Sequence, residues 1–547
     1  MVPNLTSEKL PGLKAETCAY DVVTCGVAFP TNLVDCSPAS GWTVKAAGLP
    51  AGLKFTAKDI VDSKTKAVTV PANTIYGVPT KAGTFTVTFT ASKRGEQNQV
   101  ATITLRVEAL PAWAQGTFTG YVAGDGGDCG SATMTVAANG KVSGKIALGG
   151  TNWTFSATSY TAVECPQSDA STTNFVVEAA AKAGKVERAI ELAVSACDGG
   201  PAGTALVNGA ATGGFVDGSA SLAAWRNMWK DKSTATAAKA VIDPLIGVYT
   251  AAVADGADYG SGYLSLTVGK DGNVKATGKL ADGTSVSATS PLMYDEPEGW
   301  FVVLYAAPSA YKGGSFAAAV GFGERLTPVL FVPQWTSRNP QATGEYGEGF
   351  ARVVDLDGAY YNKLDTLRKY YESLRLGLNG APELGFVLKE TALNELGRKT
   401  TASSASTASA VDTLLHDDLT ATVDANGKLV VAKATKPVQD RETKEWSYAG
   451  TNDGALTLSF TQATGIFKGS YTFWYDYESA KDYTTGKSTK AHTSKKVSFE
   501  GILVQGEDPK MDGFYLWDAA GEYEDEKTGK VKTYKYKQSF PVWLISE

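Results

Sequence analysis

Flat aromatic rings beside arginine and asparagine are the residues of this chain best suited to binding a ligand. The chain has 547 residues, of which 11 are tryptophan and 24 are tyrosine. Such rings stack on sugars and on peptide groups, and a neighbouring arginine adds cation–π attraction. The aromatic segments run over 225–229, 334–339 and 471–477. We predict ligand contacts at Trp225, Arg226, Trp229, Trp335, Arg338, Asn339, Trp474 and Tyr475.

The same segments have a structural interpretation that the sequence leaves open. The first two segments come late in two repeated stretches of sequence, so their tryptophans could cover the end of a barrel. In the third segment, Tyr471 and Tyr475 fall on one face of a strand and Trp474 on the other. One of these faces must be core, and the other is available for a ligand.

Catalytic residues are scarce. The only histidines are His416 and His492, and neither lies near a Gly-x-Ser-x-Gly sequence, so we expect both to be polar surface residues. Phosphate-binding and dinucleotide-binding glycine motifs are missing, and no cofactor is predicted. The acidic loops do not match a calcium-loop pattern, and no metal site is predicted. A glycosidase needs only two carboxylates, so that chemistry stays open. The candidates are Asp295, Glu296 and Glu298 near Trp300, or Asp476 and Glu478 beside Trp474.

The composition excludes several classes of protein. There are 51 basic and 57 acidic residues, which gives a net charge of −6 without a basic block, so no nucleic-acid partner is predicted. With 43% hydrophobic and 20% charged residues, the chain has the composition of a folded protein. No apolar stretch approaches the length of a transmembrane span. The oligomeric state is not defined by the sequence.

Six cysteines are confined to the first 200 residues, and their distribution favours disulfides over a zinc site. They fall in two groups of three, so complete pairing requires a bridge between the groups. Unpaired thiols are the alternative. The first residues carry no signal peptide, and we expect a secreted or cell-surface protein whose leader is absent from this sequence. The disulfide candidates are Cys18, Cys25, Cys36, Cys129, Cys165 and Cys197.

Apolar residues alternate with threonine and serine along much of the chain. In the stretch 84–90, Phe85, Val87 and Phe89 share one face, which predicts a half-buried strand. Asn139-Gly140, Asp271-Gly272 and Asn426-Gly427 predict tight hairpins between such strands. Strands at short, regular spacing favour sandwiches or barrels.

Two stretches about 130 residues apart follow one scheme of strand, meander, Asx-Gly hairpin and Gly-Lys strand, and a third version begins near Leu419. A duplicated antiparallel unit is the simplest explanation. We therefore predict an Ig-like β-sandwich over 1–108, a first barrel-like unit over 109–242 and a larger second unit over 243–547. The Ser/Thr/Ala-rich run 399–410 is a possible subdivision of that last unit.

One segment departs from the β pattern. Between Asp357 and Leu378 the apolar residues fall at helical spacing, and Asn379-Gly380 provides a stop. A second short helix is predicted over 389–396. We expect a short helical insertion over 357–397 that covers the end of a sheet.

The stretches 48–55 and 74–87 carry the phrases Leu-Pro-x-Gly-Leu and Ile-x-Gly-x-Pro-Thr-x-x-Gly-x-[Tyr/Phe]-x-Val, here with a tyrosine and a valine around Gly77. These phrases resemble the bacterial putative-Ig, cadherin-like domain family over about residues 44–107. The resemblance implies a spacer or adhesive module of a secreted or surface protein. The acidic linker motifs of calcium-dependent cadherins are not evident.

The sequence therefore predicts an all-β protein, with an N-terminal Ig-like β-sandwich followed by tandem antiparallel β-barrel-like units and a short helical insertion. The leading functional hypothesis is a non-catalytic secreted or cell-surface adhesive protein that binds a glycan or a protein through loops and exposed aromatics. The alternatives are an extracellular polysaccharide-acting enzyme with paired carboxylates and a structural surface-array subunit.

Overall fold

A computed structural model describes most of the chain. The described residues are 22–29, 38, 40–164, 173–197, 201, 204, 206–256, 259–339, 349–362, 384–388, 419–423, 429–447, 450, 452–481, 488–505, 510–525 and 529–546. The chain divides into two compact units, residues 1–235 and 236–547. Each unit is built almost entirely from antiparallel strands.

The first unit begins with an Ig-like sandwich. Its main sheet has the order β1-β8-β7-β2, and β3 pairs with β6 in a second layer. Val87 and Phe89 are fully buried between the layers, as the alternation of the sequence predicts. The strands are β1 Val22–Thr24, β2 Thr43–Ala47, β3 Leu53–Thr56, β4 Ile60–Val61, β5 Val68–Val70, β6 Thr74–Gly77, β7 Gly83–Ser92 and β8 Gln99–Glu108.

Nine strands follow in the first unit, and eight of them close into a barrel. The ring runs β9-β10-β11-β12-β14-β15-β16-β17 and returns to β9, with Thr154 opposite Lys182 where β12 meets β14. The strands are β9 Gly116–Gly124, β10 Cys129–Val136, β11 Val142–Leu148, β12 Thr151–Ala157, β13 Ala162–Glu164, β14 Asn174–Ala183, β15 Val186–Ala196, β16 Gly209–Phe215 and β17 Ala220–Arg226. Inward side chains such as Phe118, Ile146 and Leu192 fill the interior with a continuous apolar core.

Short helices flank this barrel. The 3₁₀ turns η1 (Ala112–Ala114) and η2 (Met228–Lys230) precede and follow it, and the helix α1 spans Lys232–Lys239. Asp231 caps α1, because its Oδ1 accepts hydrogen bonds from the backbone N–H groups of Ser233 and Thr234 at 2.9 and 3.2 Å. The boundary between the two units lies within α1.

The second unit contains another barrel-like sheet with the order β21-β20-β19-β18-β28-β25-β24-β23-β22. β21 and β22 are the two edge strands of this sheet. Only Leu292 separates them in the chain, so they are directly connected. The elements are η3 Asp243–Leu245, β18 Gly247–Ala254, β19 Gly262–Val268, β20 Asn273–Lys279, β21 Ser285–Pro291, β22 Met293–Asp295, β23 Gly299–Ala306, η4 Ser309–Tyr311, β24 Phe316–Phe322, β25 Arg325–Pro328, β26 Gln334–Ser337, β27 Phe350–Val353 and β28 Asp355–Tyr361.

The C-terminal sheet has the order β31-β30-β29-β38-β37-β36-β35-β34, and β32 and β33 form a separate hairpin. It packs on the second barrel through Ala252, Tyr263, Ile502, Val504 and Phe514. The strands are β29 Leu384–Leu388, β30 Leu419–Val423, β31 Leu429–Val431, β32 Val438–Gln439, β33 Trp446–Ser447, β34 Thr457–Thr461, β35 Ile466–Lys481, β36 Ser488–Val504, β37 Lys510–Asp525 and β38 Lys530–Ser546.

The all-β prediction is confirmed, with an Ig-like sandwich, barrel-like sheets and a short helix. The position of the helix differs from the prediction, because α1 lies at Lys232–Lys239. The predicted insertion over 357–397 begins instead in β28, where Asp357 pairs with Ala252 and Tyr361 with Val248. Residues 384–388 are also strand, and the other residues of that insertion lie outside the described part of the chain. The ladder with β18 outweighs the helical spacing of the sequence.

Among the described residues, no helix has both the length and the apolar character that a bilayer crossing requires.

Candidate functional site

The predicted cluster around Trp225 lies at one end of the first barrel and is packed into it. The Trp225 ring is 4% exposed and stacks on Tyr121, with ring centroids 6.3 Å apart. Arg226 is 5% exposed, and its Nε donates a 2.7 Å hydrogen bond to the Gln115 carbonyl oxygen. Burial lowers the pKa of the Arg226 guanidinium, and the charge of Asp231 partly offsets this effect. These side chains tie β17 to the start of β9.

Two neighbours complete that barrel end. The Asn227 Oδ1 accepts a 3.0 Å hydrogen bond from the backbone N–H of Trp229, which begins the turn η2. The Trp229 side chain is half-buried. Asn208 donates a 3.2 Å hydrogen bond from Nδ2 to the Arg226 carbonyl oxygen. The arrangement therefore supports the chain at the exit of the barrel.

The predicted cluster around Trp335 belongs to the second barrel and is also interior. Trp335 is 1% exposed, and its ring meets Phe350 edge-on at a centroid distance of 4.9 Å. The backbone N–H of Arg338 donates to the Tyr311 carbonyl oxygen at 2.8 Å, and Asn339 Nδ2 donates to the Ala310 carbonyl oxygen at 3.1 Å. The Arg338 side chain is exposed. The segment 335–339 is thus anchored on η4.

A buried acid continues this second cluster. The Tyr311 hydroxyl donates a 3.3 Å hydrogen bond to the Asp282 carboxylate, and Thr284 donates to the same group from its backbone N–H at 2.8 Å. Burial raises the pKa of Asp282 above its usual range and raises the pKa of Tyr311 as well. The two tryptophan clusters are not in equivalent places, because β17 closes the first barrel whereas the corresponding closing strand of the second is β28, not β26.

The third predicted segment presents a different environment, in which three flat rings lie parallel. The His492 ring stacks on Trp446 with centroids 3.8 Å apart and planes inclined by 13°. The Trp474 ring also stacks on His492, with centroids 5.4 Å apart and planes inclined by 9°. All three side chains are half-buried. We call Trp446, His492 and Trp474 the aromatic stack.

Three different elements supply the aromatic stack. Trp474 lies on β35 opposite Ser494, and His492 lies on β36 opposite Asp476, so the two rings are diagonal neighbours on one face of the sheet. Trp446 comes from the β32–β33 hairpin, where it pairs with Gln439. The hairpin therefore covers this face of the sheet and supplies the third ring.

A buried polar turn holds the Trp474 ring in place. Trp474 Nε1 donates a 2.9 Å hydrogen bond to the carbonyl oxygen of Asp453. The Asp453 carboxylate is 2% exposed and accepts from the Gly450 N–H at 2.9 Å, while Asn452 Nδ2 donates to the Ala432 carbonyl oxygen at 2.8 Å. Because these buried groups are hydrogen-bonded, they fix the orientation of the indole.

Sequence reasoning found only part of the aromatic stack. It selected Trp474, missed Trp446 and assigned His492 to the polar surface. The useful signal was alternation along β35: Tyr471 is 3% exposed in the core, so Trp474 on the opposite face needs partners from elsewhere. The side chain of Tyr475 lies outside the described part of the structure.

The carboxylates proposed for catalysis lie in two places, and those of the second set, Asp476 and Glu478, are on β35 opposite His492 and Lys490. In the first set, Asp295 ends β22 and Glu296 and Glu298 follow in the β22–β23 turn, where Asp295 Oδ1 accepts a 3.0 Å hydrogen bond from the Glu296 N–H. Tyr294 and Trp300 meet edge-on beside them, with centroids 5.3 Å apart. Within the described part of the chain, no cluster of three or more His, Cys, Asp or Glu side chains could hold a metal ion.

Three of the six cysteines fall in the described part of the chain. No disulfide joins any two of Cys25, Cys129 and Cys197. Burial raises the pKa of the Cys129 thiol to about 11 and also raises the pKa of Cys25. Cys18, Cys36 and Cys165 lie outside the described residues, so a pairing that involves them stays a prediction.

The N-terminal strands match a known family. The family model described as Putative Ig domain covers residues 23–108. No curated protein and no solved structure matches the chain. The two phrases of the Ig resemblance meet in space, because Leu53 pairs with Gly77 and the Val78 N–H donates to the Gly52 carbonyl oxygen at 3.3 Å. Gly52 has φ +93°, and a Cβ there would lie 2.0 Å from the Val78 carbonyl oxygen, so glycine is required.

Proposed function

We propose that this chain is a non-catalytic adhesive protein, secreted or on the cell surface, that binds a glycan on the aromatic stack. The observation that carries the proposal is the half-buried, parallel set of Trp446, His492 and Trp474, in which a buried hydrogen-bonded turn holds Trp474. A sugar ring packs its C–H face on flat aromatics of this kind. The buried rings of Trp225 and Trp335 offer no comparable face.

The surroundings of the aromatic stack provide polar groups for sugar hydroxyls. Ser494 and Lys496 are exposed on the same face of β36 as His492, at spacings of two and four residues. A ligand lying along β36 can therefore combine stacking with hydrogen bonds. The Ig-like domain over residues 23–108 supports an adhesive or binding role, since sandwiches of this class are frequent in cell-surface proteins.

Substitution of the stack tests this function. We expect Trp474→Ala and Trp446→Ala each to weaken saturable binding to a glycan array about tenfold or more, because each removes a stacking surface worth about 1.4 kcal/mol. Trp300→Ala is the matched control, since Trp300 is also half-buried and packs on an aromatic neighbour, Tyr294, in the β22–β23 hairpin. The melting temperature of each variant shows that it remains folded.

Three outcomes would contradict the proposal. Binding that survives both stack substitutions would place the glycan site elsewhere. Saturable binding to a protein and to no glycan would make the ligand a protein. Release of reducing ends from mucin or plant polysaccharides would make the chain an enzyme with paired carboxylates.

The proposed compartment has its own test. Disulfides persist in an oxidising environment, so we expect intact-mass analysis of the protein from an oxidising host to show a gain of two hydrogen atoms per bridge when a thiol reductant is added. Peptide mapping would then show whether Cys25, Cys129 and Cys197 pair with Cys18, Cys36 and Cys165. An unchanged mass would contradict the disulfides that the proposed compartment predicts.

A further inference from the structure

Four long strands of the C-terminal sheet extend beyond the sheet as two ribbons. The first ribbon is residues 470–481 of β35 paired with 488–498 of β36. The second ribbon is residues 516–525 of β37 paired with 530–539 of β38. The ladder between β36 and β37 ends at Phe499 opposite Tyr515, so in the described structure the two ribbons do not pair with each other.

Each ribbon therefore has open edges next to the other. Among the strands that the structure describes, residues 488–498 of β36 pair only with β35, and residues 516–525 of β37 pair only with β38. An isolated two-stranded ribbon is marginally stable in water, and its open edges are templates for another strand. A partner that adds strands to these edges would therefore stabilise the ribbons by hydrogen-bonding their backbone groups.

The two facing edges carry opposite charge in the sequence. The open stretch of β36 contains three lysines and no acid, and the open stretch of β37 contains four acids and no base. The lysines are Lys490, Lys495 and Lys496, and the acids are Asp518, Glu522, Glu524 and Asp525. A strand that suits the basic edge is therefore acidic, and a strand that suits the acidic edge is basic.

We propose that the partner of these edges is a second copy of this chain, with β36 of each copy paired to β37 of the other. This arrangement satisfies both edges at once, and a two-fold axis closes it as a dimer. Pairing of β36 with β36, or of β37 with β37, would place like charges opposite each other. The charge pattern thus selects a reciprocal exchange between two copies.

The bases of the ribbons are fixed, which prepares the edges for pairing. The aromatic stack holds the first ribbon against the β32–β33 hairpin through Trp446 and His492. Next to the last ladder pair, the Lys495 ammonium lies 3.7 Å from the centroid of the Trp517 ring and joins the two ribbons at their base. Because the bases of the ribbons are already ordered, dimerisation has a smaller entropic cost.

Light scattering of the full chain at varied salt tests the dimer. At low ionic strength we expect twice the 57.3 kDa chain mass, and in about 0.5 M NaCl a dimer Kd at least about tenfold weaker, because salt screens the exposed charges. A chain that is monomeric at every soluble concentration at low salt would overturn the proposal.

Charge reversal gives a sharper test. One variant combines Lys490→Glu, Lys495→Glu and Lys496→Glu, and the other combines Glu522→Lys, Glu524→Lys and Asp525→Lys. Each variant alone carries like charges on both edges, so we expect a monomer. An equimolar mixture has complementary edges again, and we expect a dimer containing one copy of each.

A matched control separates edge pairing from a change in total charge. Lys54→Glu, Lys58→Glu and Lys81→Glu place the same charge change on exposed positions of the Ig-like domain, and we expect this variant to dimerise like the wild type. Loss of the dimer in the control, or a mixture that stays monomeric although both variants are folded by circular dichroism, would overturn the proposal.

Discussion

Two buried threonine hydroxyls in the second unit differ in whether they are hydrogen-bonded. Thr336 Oγ1 accepts from the Ser315 N–H at 3.0 Å and donates to the Ser315 carbonyl oxygen at 3.3 Å. Thr250 is fully buried, and its Oγ1 has no hydrogen-bond partner in the described structure. Because a buried polar group without a partner keeps its desolvation cost, the same substitution should have opposite effects at the two positions.

We expect Thr250→Val to raise the free energy of unfolding of the second unit by about 1 kcal/mol, since valine removes an unsatisfied hydroxyl and keeps the shape. Thr336→Val should lower it by about 1–2 kcal/mol, because the buried Ser315 backbone N–H loses the acceptor that Thr336 Oγ1 provides. Urea denaturation followed by tryptophan fluorescence measures both changes. A loss of stability in both variants would show that Thr250 has a partner, such as a buried water.

Residue patterns predicted individual strands and turns well. Alternation identified β7, in which Val87 and Phe89 are buried and the threonines between them are not. The turns at Asn139-Gly140 and Asp271-Gly272 join consecutive strands, with φ of +78° and +72° at the glycines. Asn426-Gly427 lies outside the described residues. These features depend on neighbouring residues alone, which is why the sequence contains them.

Ion pairs join the C-terminal sheet to the second barrel, a connection that no sequence pattern indicated. Glu500 on β36 contacts Lys279 and Lys468 and accepts a 2.9 Å hydrogen bond from the Tyr263 hydroxyl. Burial alone would raise the pKa of Glu500, but the hydrogen bonds and charges of Lys279, Tyr263 and Lys468 outweigh it, and the pKa is lowered. The interaction links β36 to the second barrel across more than 200 residues of sequence.

A second carboxylate at this interface behaves in the same way. Asp357 contacts Lys510, at 2.8 Å, and Arg325. Burial would raise its pKa, but the hydrogen bonds and charges of Lys510 and Arg325 lower it overall. Since both folded-state pKa values lie below the unfolded ones, the ionised carboxylates stabilise the fold above about pH 4.

We therefore expect the melting temperature of the second unit to fall as the pH decreases below about 4, as Glu500 and Asp357 become protonated. Glu500→Gln should lower the melting temperature at pH 7 by about 2–4 °C and reduce its dependence on pH in the acidic range. Differential scanning calorimetry between pH 7 and pH 3 measures both effects. Glu296→Gln, in an exposed turn of the same unit, is the control. An identical pH profile for the two variants would contradict a role of Glu500 in acid sensitivity.

The sequence predicted the class of fold but not how the sheets close or which faces are exposed. The helical spacing after Asp357 was misleading because β28 gains a seven-residue ladder with β18, and only barrel closure brings those strands together. Trp335 was predicted as a ligand contact, yet it is buried. Tyr311 of η4 and Phe350 of β27 pack against its ring. Exposure depends on tertiary contacts, so residue type alone could not supply it.

A residue of the Ig-like domain lies in the core of the first barrel, which no sequence pattern indicated. Val27 follows β1 of the Ig-like domain, yet its side chain belongs to the apolar core of the barrel. The Ala28 N–H donates to the Tyr160 carbonyl oxygen at 2.8 Å, and the Tyr160 N–H donates to the Gly26 carbonyl oxygen at 3.0 Å. A Cβ on Gly140 would lie 2.0 Å from that Gly26 oxygen, so the hairpin tip packs directly on this segment.

Shared packing of this kind couples the unfolding of the two parts. We expect Val27→Ala, at a cost of about 1–3 kcal/mol, to speed hydrogen exchange both in the Ig strands β7–β8 and in the barrel strands β10–β11. Val44→Ala is the control, because Val44 is 1% exposed and belongs to the Ig core alone, so it should speed exchange in β7–β8 only. Mass spectrometry of peptides from the full chain separates the two responses. If Val27→Ala changed exchange in only one of the two sets of strands, the Ig-like domain and the barrel would be joined by contact without unfolding together.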